Sequence, residues 1–409
     1  MPKLTKDLLY VLKGGSWLSV SQIAASLQSF LILFLIANFA APDVLGEYRL
    51  VISLVAIFGI FALPGMQIAI MESTPKGFTG NLLTGVLAKL RYGIIGSILA
   101  LILSAYYASI GNASLSIIMI FVALAAPLLE TSALYTFYLY SRKLFKSATL
   151  YSIQAKLAAL VIGGVAILLF PENIVIIIVA LIGTPIVINL LFTYRVNRSA
   201  VGSVDPGLIS YSKHLSVMAG LLVLATYIDS IFVWHFLGAT QLAVFFIAIA
   251  IPMELLRAAG MFPILAYPKF ATENPSEIKR TLPKLIYKTF IITSAIVLIY
   301  ILLAPFVFSF LFPQYSESVI YTQVISLILL QVPFLLIKTF FQTQKAVKIL
   351  YVYGFVFPAI RILLSLALVI QFGLWGIITA ILLEALLRTV FSVTVITLYK
   401  TEEPSEVSS

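Results

Sequence analysis

Long apolar stretches alternate with short polar segments along the whole chain, and this pattern predicts membrane-spanning helices. A helix needs about 20 apolar residues to cross the hydrocarbon core of a bilayer. About twelve segments meet this length criterion, so the predicted fold class is an all-α polytopic membrane protein. The predicted spans lie near residues 15–38, 49–71, 88–108, 115–139, 147–170, 173–194, 214–237, 241–266, 285–311, 319–341, 350–370 and 374–398.

The pattern also appears twice along the chain. When the first half of the sequence is aligned with the second half, Leu18-Ser19-Val20 falls on Leu215-Ser216-Val217. With about six spans per half, both halves have the same orientation, as in parallel transporter repeats. We therefore predict an N-terminal six-helix lobe at 1–200 and a C-terminal six-helix lobe at 201–400. The acidic tail 401–409 is short of apolar residues and is predicted to be disordered.

Turn residues and prolines refine this picture. Pro171-Glu172-Asn173 joins the fifth and sixth spans, and Phe372-Gly373 joins the last two. Prolines inside spans predict kinks, of which Pro64-Gly65 is the sharpest, and such bends can serve as hinges. The prolines inside spans are Pro64, Pro127, Pro185, Pro252, Pro263, Pro333 and Pro358.

Composition agrees with the pattern, since 61% of the residues are hydrophobic, 10% are charged and the mean hydropathy is +1.10. These values exclude a soluble globular protein. The net charge of +10 does not indicate nucleic acid, because no basic face alternates with aromatic stacking residues. The sequence contains no cysteine, which excludes disulfides and thiolate chemistry.

The basic residues lie in alternate loops, and this distribution predicts that both termini are cytoplasmic. The opposite loops contain only Arg49, at the edge of the second predicted span. The first span leads directly into the second, so we expect it to be retained rather than cleaved as a signal peptide. The basic residues assigned to the cytoplasmic side are Lys3, Lys6, Lys13, Lys76, Lys89, Arg91, Arg142, Lys143, Lys146, Arg195, Arg198, Lys213, Lys269, Lys279, Arg280, Lys284, Lys288, Lys338, Lys345 and Lys348.

No motif for catalysis is present. The two histidines, His214 and His235, lie at predicted span edges without carboxylates at metal-site spacing, which favours interfacial roles. There is no Walker loop and no Gly-x-Ser-x-Gly turn. We therefore predict no enzyme activity, no cofactor and no metal site.

Several charged residues inside the predicted spans have a candidate partner on the same helix. Glu254 and Arg257 are spaced i,i+3, while Glu384 and Arg388 are spaced i,i+4. Since a charge at mid-membrane costs about 3 kcal/mol, partnered charges are the arrangement that membranes tolerate best.

Adjacent spans add two further candidate pairs at equal depth. Folding the chain at the turn near residue 143 puts Glu130 level with Lys156, and folding at residue 372 puts Arg361 level with Glu384. Structural pairing is favoured for Glu130. Lys156 and Arg361 could equally attract an anionic head group such as a phosphate, and the sequence favours neither role strongly.

Asp229 stands out because it lies near the middle of span 214–237 and has no partner at its level in the next span. An unpaired carboxylate at this depth normally faces protein or water. The hairpin at 214–271 is therefore predicted to line a solvent-filled path through a transporter. A functional role is favoured for Asp229, with a satisfied packing contact as the alternative.

Four short motifs recur at span ends and turns: Pro42-Asp43-Val44-Leu45-Gly46-Glu47-Tyr48, Asp229 followed by Leu237-Gly238 and Phe245, Leu311-Phe312-Pro313-Gln314-Tyr315, and Gln344-Lys345-Ala346-Val347-Lys348. These motifs resemble those of polysaccharide flippases in the multidrug/oligosaccharidyl-lipid/polysaccharide (MOP) exporter superfamily, in particular O-antigen (Wzx-type) flippases. The likeness covers essentially the whole chain, with three departures: Phe245 replaces the usual tyrosine, Pro313 replaces glycine, and Glu72 stands where many relatives have a basic residue.

The resemblance implies a MATE/MOP-like fold whose two lobes rock around a central cationic cavity. Such flippases lie in the cytoplasmic membrane and move an oligosaccharide linked to undecaprenyl pyrophosphate to the outer leaflet. Coupling to an H⁺ or Na⁺ gradient, contacts with membrane lipids and other glycan-assembly membrane proteins are implied as well. Asp229 would be the coupling or gating carboxylate, supported by ion pairs at Glu130, Glu254 and Glu384. Candidates for binding the pyrophosphate or acidic sugars are Arg49, Lys156, Arg257, Arg361 and Arg388.

Three alternatives remain open. A cation-coupled multidrug exporter of the same superfamily should favour acids in its cavity, whereas acids and bases are mixed here. A membrane glycan polymerase or glycosyltransferase usually has a long outer loop, and every predicted outer loop here is short. A structural membrane protein would not need so many charges at mid-depth. Transport of a lipid-linked glycan is preferred over each of these alternatives.

Overall fold

The computed structural model describes the backbone at residues 2–260, 266, 270 and 273–399, with side chains from residue 15 onwards except 218. Nearly all of these residues are helical and none lies in a β-strand, which confirms the all-α fold class. The chain divides into two compact units, Met1–Tyr227 and Ile228–Ser409, which we call the N-terminal and C-terminal units. The lobe limits 1–200 and 201–400 stay a prediction, and the tail 401–409 lies outside the described residues.

The N-terminal unit is built from ten helices, several of which join through short 3₁₀ or π segments into longer spans. The joining segments are Ile60–Ala62, Thr74–Lys76 and Val179–Gly183. The helices are α1 (Pro2–Phe39), α2 (Pro42–Gly59), α3 (Met66–Ser73), α4 (Asn81–Ser109), α5 (Ala113–Ser132), α6 (Leu134–Ser141), α7 (Phe145–Leu169), α8 (Ile174–Ile178), α9 (Thr184–Asn197) and most of α10 (Leu208–Leu237).

The C-terminal unit begins with the last residues of α10 and continues through six further helices in the described residues. Its 3₁₀ and π segments are Pro313–Tyr315, Ser326–Phe334 and Val352–Val356. The helices are α11 (Ala239–Ala259), α12 (Pro275–Leu311), α13 (Ser318–Ile325), α14 (Leu335–Thr343), α15 (Val347–Tyr351) and α16 (Phe357–Leu398).

Within the described residues, eleven helical stretches are long and apolar enough to cross a membrane. The last, Val347–Leu398, has 52 residues, about twice the length needed for one crossing. Its backbone leaves the helical region at Gly373, where φ is 58° and ψ is −133°. Glycine adopts this conformation without a steric penalty. The stretch is therefore long enough for two crossings, and counted in this way the eleven stretches match the twelve predicted spans, with the last turn at the predicted glycine.

The second span differs most from its prediction at 49–71. Helix α2 begins at Pro42, because proline fits the first helical turn, where its missing N–H is not needed. Arg49 therefore lies inside the helix rather than at its edge. The helical path is interrupted after Ala62, and Met66–Ser73 forms a separate short helix. The break falls at the predicted Pro64-Gly65 kink.

Other helices extend beyond the apolar segments that predicted them. Helix α4 begins at Asn81 instead of residue 88, and α12 begins at Pro275 instead of residue 285. A length criterion based on apolar residues leaves out turns that carry charged residues, such as Lys279 and Arg280, and this explains the difference for α12. The eighth predicted span, 241–266, corresponds to α11 up to Ala259, and Pro263 lies outside the described residues.

Candidate functional site

Asp229 and Arg361 form a buried ion pair in the C-terminal unit. Nη2 of Arg361 donates to Oδ2 of Asp229 at 2.6 Å, and Nε donates to the same oxygen at 3.2 Å. Helix α10 positions the carboxylate, and α16 positions the guanidinium. The expectation that Asp229 has no charged partner is wrong. The two residues are 132 positions apart in the sequence, and helix packing decides which distant residues meet.

Glu384 and Arg388 form a second ion pair within α16. The side chains hydrogen bond, with Nε of Arg388 at 2.9 Å from Oε1 of Glu384, and this confirms the predicted i,i+4 pair. The predicted contact between Arg361 and Glu384 is replaced by the bond to Asp229. Glu384 is still close enough to attract Arg361 electrostatically. The equal depth of Arg361 and Glu384 in their hairpin therefore predicted that these two residues lie close together. It did not predict that Asp229 is the ion-pair partner of Arg361.

In both pairs the carboxylate is buried and the guanidinium is partly exposed. The side chains of Asp229 and Glu384 are 2% and 3% exposed, against 18% for Arg361 and 28% for Arg388. A buried carboxylate is tolerated because it is paired, and it fixes the orientation of the arginine that it holds. The accessible part of each pair is therefore positively charged.

Lys338 adds a third cation next to these pairs. Its Nζ lies 5.9 Å from the centre of the Tyr353 ring, and its charge interacts with that of Arg388. The hydroxyl of Tyr353 is 2.6 Å from that of Ser392, on α16. Among the described residues, Lys338 makes no ion pair. We call Asp229, Lys338, Arg361, Glu384 and Arg388 the C-terminal cluster; its three cations outnumber its two carboxylates.

Lys338 is not among the predicted site residues, because its position near a span end groups it with the basic loop residues. The signal that could have found it is its position, since Lys338 falls within the predicted span 319–341. Helix α14 continues past it to Thr343. Basic residues near a span end can belong to the helix as well as to the loop.

The N-terminal unit holds a separate buried pair. Nζ of Lys89 lies 3.6 Å from Oε2 of Glu130, and the Lys89 side chain is fully buried. The predicted pair between Glu130 and Lys156 is therefore wrong, because α4 extends far enough to place Lys89 inside the unit. Lys156 instead donates to the hydroxyl of Ser152 on its own helix at 2.8 Å.

The break between α2 and α3 lies directly beside Lys89. Leu63 has a left-handed φ of 51°, and its carbonyl accepts a hydrogen bond from Lys89 at 3.3 Å. The amide of Gly65 donates to the hydroxyl of Ser216 at 2.9 Å. A side chain at Gly65 would meet the Ser212 carbonyl oxygen at 2.6 Å, so only glycine fits. Polar groups of α4 and α10 thus satisfy the interrupted backbone, as membrane depth requires.

The remaining predicted site residues lie elsewhere. The guanidinium of Arg49 is 5.5 Å from the centre of the Tyr227 ring. Arg257 pairs with Glu254 at 2.6 Å as predicted, but its side chain is 61% exposed. An exposed pair contributes about 0–1 kcal/mol. Of the five predicted cations, the C-terminal cluster contains Arg361 and Arg388.

Glu72, where many flippases look basic, has partners of its own. The Tyr211 hydroxyl donates to it at 2.8 Å and the Lys76 ammonium donates at 3.0 Å. These two donors hold the pKa of Glu72 below its usual value. Glu72 is thus an ionised, partnered surface residue. Among the described residues, no group of three or more histidine, aspartate or glutamate side chains could hold a metal ion.

No protein-family model matches this sequence, and no curated protein matches it at a significant level. Solved structures match over almost the full chain. One is a multidrug resistance MATE family transporter of the MOP superfamily in an inward-facing conformation, with TM-score 0.61, 14% identity and coverage of 94% of this chain and 98% of that chain. The outward-facing conformation of such a transporter gives TM-score 0.55 and 15% identity, covering 96% and 97%.

A third match is a MOP superfamily transporter from Pyrococcus furiosus Vc1, whose binding pocket has reverse polarity, which suggests a different function for it. The TM-score is 0.57 at 14% identity, and 95% of each chain is covered. Identities this low show a shared fold and nothing finer. The chain therefore has a MATE-like transporter fold, and the matches do not distinguish a polysaccharide flippase from a drug exporter.

Proposed function

We propose that this protein is a transporter that moves an anionic lipid-linked oligosaccharide from the cytoplasmic to the outer leaflet by alternating access. The observation that carries the proposal is the exposure pattern of the C-terminal cluster. Its carboxylates, Asp229 and Glu384, are buried, whereas the guanidinium groups of Arg361 and Arg388 are partly exposed. A ligand that reaches this cluster meets positive charge.

The exposed chemistry matches a pyrophosphate group. Guanidinium groups bind phosphate oxygens through two parallel hydrogen bonds, and an ammonium group adds a compact positive charge. Arg361, Arg388 and Lys338 supply these two kinds of donor in one cluster. The cargo that resembles this ligand is an oligosaccharide on undecaprenyl pyrophosphate, such as an O-antigen repeat unit.

Asp229 has a gating role in this proposal. It holds Arg361 while no cargo is bound, and an incoming phosphate competes with it for the same guanidinium. The released carboxylate is then a site at which H⁺ or Na⁺ can neutralise a buried charge. Its Oδ1 atom is buried and has no hydrogen-bond partner among the described residues. Cargo binding and the ion gradient would in this way act on one residue.

A protein with this function would have a defined location and defined neighbours in the cell. The protein would span the cytoplasmic membrane, contact membrane lipids and work beside other glycan-assembly membrane proteins. It would act as a transporter and not as an enzyme. Arg49, Lys156 and Arg257 would contact the sugar moiety or line the path rather than bind the pyrophosphate, because they lie outside the C-terminal cluster.

A cation-coupled multidrug exporter is the second candidate. Two of the matched structures are described as multidrug resistance MATE transporters, one inward-facing and one outward-facing. The feature of this chain that favours it is the buried carboxylate of Asp229, whose Oδ1 atom has no hydrogen-bond partner among the residues that the structure describes. In that case Asp229 would serve an organic cation or its coupling ion, and the exposed arginines would have a structural role.

Reconstitution into liposomes tests both candidates. Purified protein is placed in vesicles that carry undecaprenyl-pyrophosphate-linked oligosaccharide in the inner leaflet, and arrival of the glycan outside is followed by lectin binding. Vesicles loaded with an organic cation dye test export in parallel. We expect glycan transfer by the wild-type protein and no dye efflux above protein-free vesicles.

Matched variants then test the cluster. Lys338→Gln should lower glycan transfer about tenfold or more, because a hydrogen bond to a charged group contributes about 1.5–3 kcal/mol. Lys338→Arg should retain most of the transfer. Lys348→Gln, an exposed lysine of the same unit, is the control and should transfer normally. Dye efflux without glycan transfer would refute the flippase proposal and support the exporter.

A further inference from the structure

The break between α2 and α3 holds a buried positive charge, which belongs to Lys89 of the N-terminal unit. Its ammonium lies 3.6 Å from Oε2 of Glu130, and its side chain has no exposed surface. The same ammonium donates to the carbonyl of Leu63 at 3.3 Å. Among the described residues, Lys89 has no polar partner other than these two oxygen atoms. The charge is therefore held by one carboxylate and one backbone carbonyl.

The break also places the C-terminal end of a helix beside this ammonium. Helix α2 continues through the 3₁₀ segment Ile60–Ala62 and ends at Leu63, which has a left-handed φ of 51°. The last carbonyl groups of a helix lack intrahelical donors, and the helix dipole puts partial negative charge at this end. The Leu63 carbonyl accepts a bond from the Met66 amide at 3.0 Å, which leaves its second lone pair for a cation.

Glu130 supplies the negative charge of this site. An added side chain at Gly59 would come within 3.1 Å of its Oε1 atom, so the glycine lets the carboxylate lie against the end of α2. The Glu130 side chain is 29% exposed, whereas Lys89 is fully buried behind it. The carboxylate thus lies between the buried ammonium and the surface.

The exposed part of Glu130 does not lie on the lipid side of α5. Large exposed apolar residues mark that side of the helix: Ile117, Ile120 and Leu124. At about 100° per residue, Glu130 is roughly 80–140° around the helix from them. Water and small ions therefore approach the carboxylate from a side of the helix other than the one that faces lipid.

We propose that this helix break is a binding site for a monovalent metal cation such as Na⁺, and that the ammonium of Lys89 occupies it in place of the ion. Unwound backbone carbonyls and the C-terminal ends of broken helices coordinate Na⁺ in transporters. Carboxylate and carbonyl oxygens are also the ligands that hard cations prefer. An ammonium group carries the same single charge. Because it belongs to the chain, it fills the site at every ion concentration.

The tethered ammonium limits where an ion gradient can act on the protein. While Lys89 occupies the break, the N-terminal unit carries a fixed positive charge there and needs no metal ion. A coupling ion would then act at Asp229 in the C-terminal unit, and this consequence rests on the proposed function. The cation site itself is independent of the cargo, because only the groups around Lys89 define it.

Thermal unfolding of the full chain in detergent tests the site without a transport assay, so its outcome is separate from that of the proposed function. Wild-type protein and Lys89→Ala are compared in sodium, potassium or N-methylglucamine chloride at equal concentration. In Lys89→Ala the vacated site should bind Na⁺ or K⁺. With the ion at about ten times its Kd, the melting temperature should rise by about 2–4 °C over that in the organic cation. The wild-type protein should melt at the same temperature in all three salts.

Two further variants show whether the response belongs to this site. The double variant Lys89→Ala/Glu130→Gln lacks the carboxylate as well and should lose the response to metal ions. Lys156→Ala is the matched control and should not respond. Lys156 is a half-buried lysine of the same unit that donates to Ser152, and it has no acidic partner among the described residues.

Three results would overturn the site. They are equal melting temperatures of Lys89→Ala in the three salts, a response that persists in the double variant, and an equal response in the wild-type protein. If Lys89→Ala accumulates poorly, Lys89→Ser takes its place, because the hydroxyl adds an oxygen ligand. Failure of both variants to fold with sodium present would also overturn the site, because the ion is expected to replace the ammonium.

Discussion

At the residue scale, the two buried carboxylates of the C-terminal cluster differ in how far sequence could identify their partners. Glu384 and Arg388 are four residues apart on one helix, and helical geometry alone brings them together. Asp229 and Arg361 are 132 residues apart. Their contact depends on how α10 packs against α16, and no local spacing contains that information. The depth of Arg361 was predictable, but its partner was not.

Asp229→Asn tests whether the ion pair is structural, functional or both. Removal of one partner from a buried pair costs about 3–5 kcal/mol, whereas replacing both partners can be nearly neutral. Asp229→Asn and Arg361→Gln should each lower the melting temperature of the solubilised protein. The double variant should recover most of the stability but not the glycan transfer, because the guanidinium is gone.

The exposed pair Glu254–Arg257 provides the stability control for this cycle. Glu254→Gln should change the free energy of unfolding by less than about 1 kcal/mol, because the Arg257 side chain is 61% exposed. Recovery of both stability and transfer in the double variant would reduce the Asp229–Arg361 pair to a packing contact. Wild-type stability in Asp229→Asn would contradict the buried pair itself.

At the element scale, the break between α2 and α3 shows which part of a discontinuous helix can be predicted. Pro64-Gly65 marks the position, because proline removes a backbone donor and glycine permits close approach. The groups that satisfy the break, Lys89 and Ser216, belong to helices distant in sequence. Lys89 was also assigned to a loop, although its helix begins eight residues earlier at Asn81.

The Lys89–Glu130 pair predicts an asymmetry between its two neutral variants. Lys89 is fully buried, whereas the Glu130 side chain is 29% exposed. Glu130→Gln leaves a buried ammonium without a counter-charge and should cost about 3 kcal/mol or more. Lys89→Met leaves a carboxylate that is already partly exposed, and the lost hydrogen bond to Leu63 accounts for about 1 kcal/mol. Thermal unfolding in detergent measures both; equal losses would contradict the burial difference.

At the scale of the whole molecule, most of what could be predicted from the sequence came from the lengths of the apolar segments and the distribution of the charged residues. The number of spans and the turn at Gly373 agree with the structure. The cargo could not be predicted in the same way. The solved structures that match are only 14–15% identical to this chain, and at that identity a shared fold does not indicate a shared substrate. The sidedness of the chain in the membrane rests on the basic residues alone and stays a prediction.

Cysteine labelling can test this sidedness, because the natural sequence contains no cysteine that would react in the background. Ser199 and Ser316 are exposed, and the three spans formed by α10, α11 and α12 separate them. An odd number of crossings places them on opposite sides. A membrane-impermeant maleimide should label Ser316→Cys in intact cells and Ser199→Cys only after permeabilisation. Labelling of both in intact cells would contradict the span count; reversed labelling would keep the count and invert the orientation inferred from the positive residues.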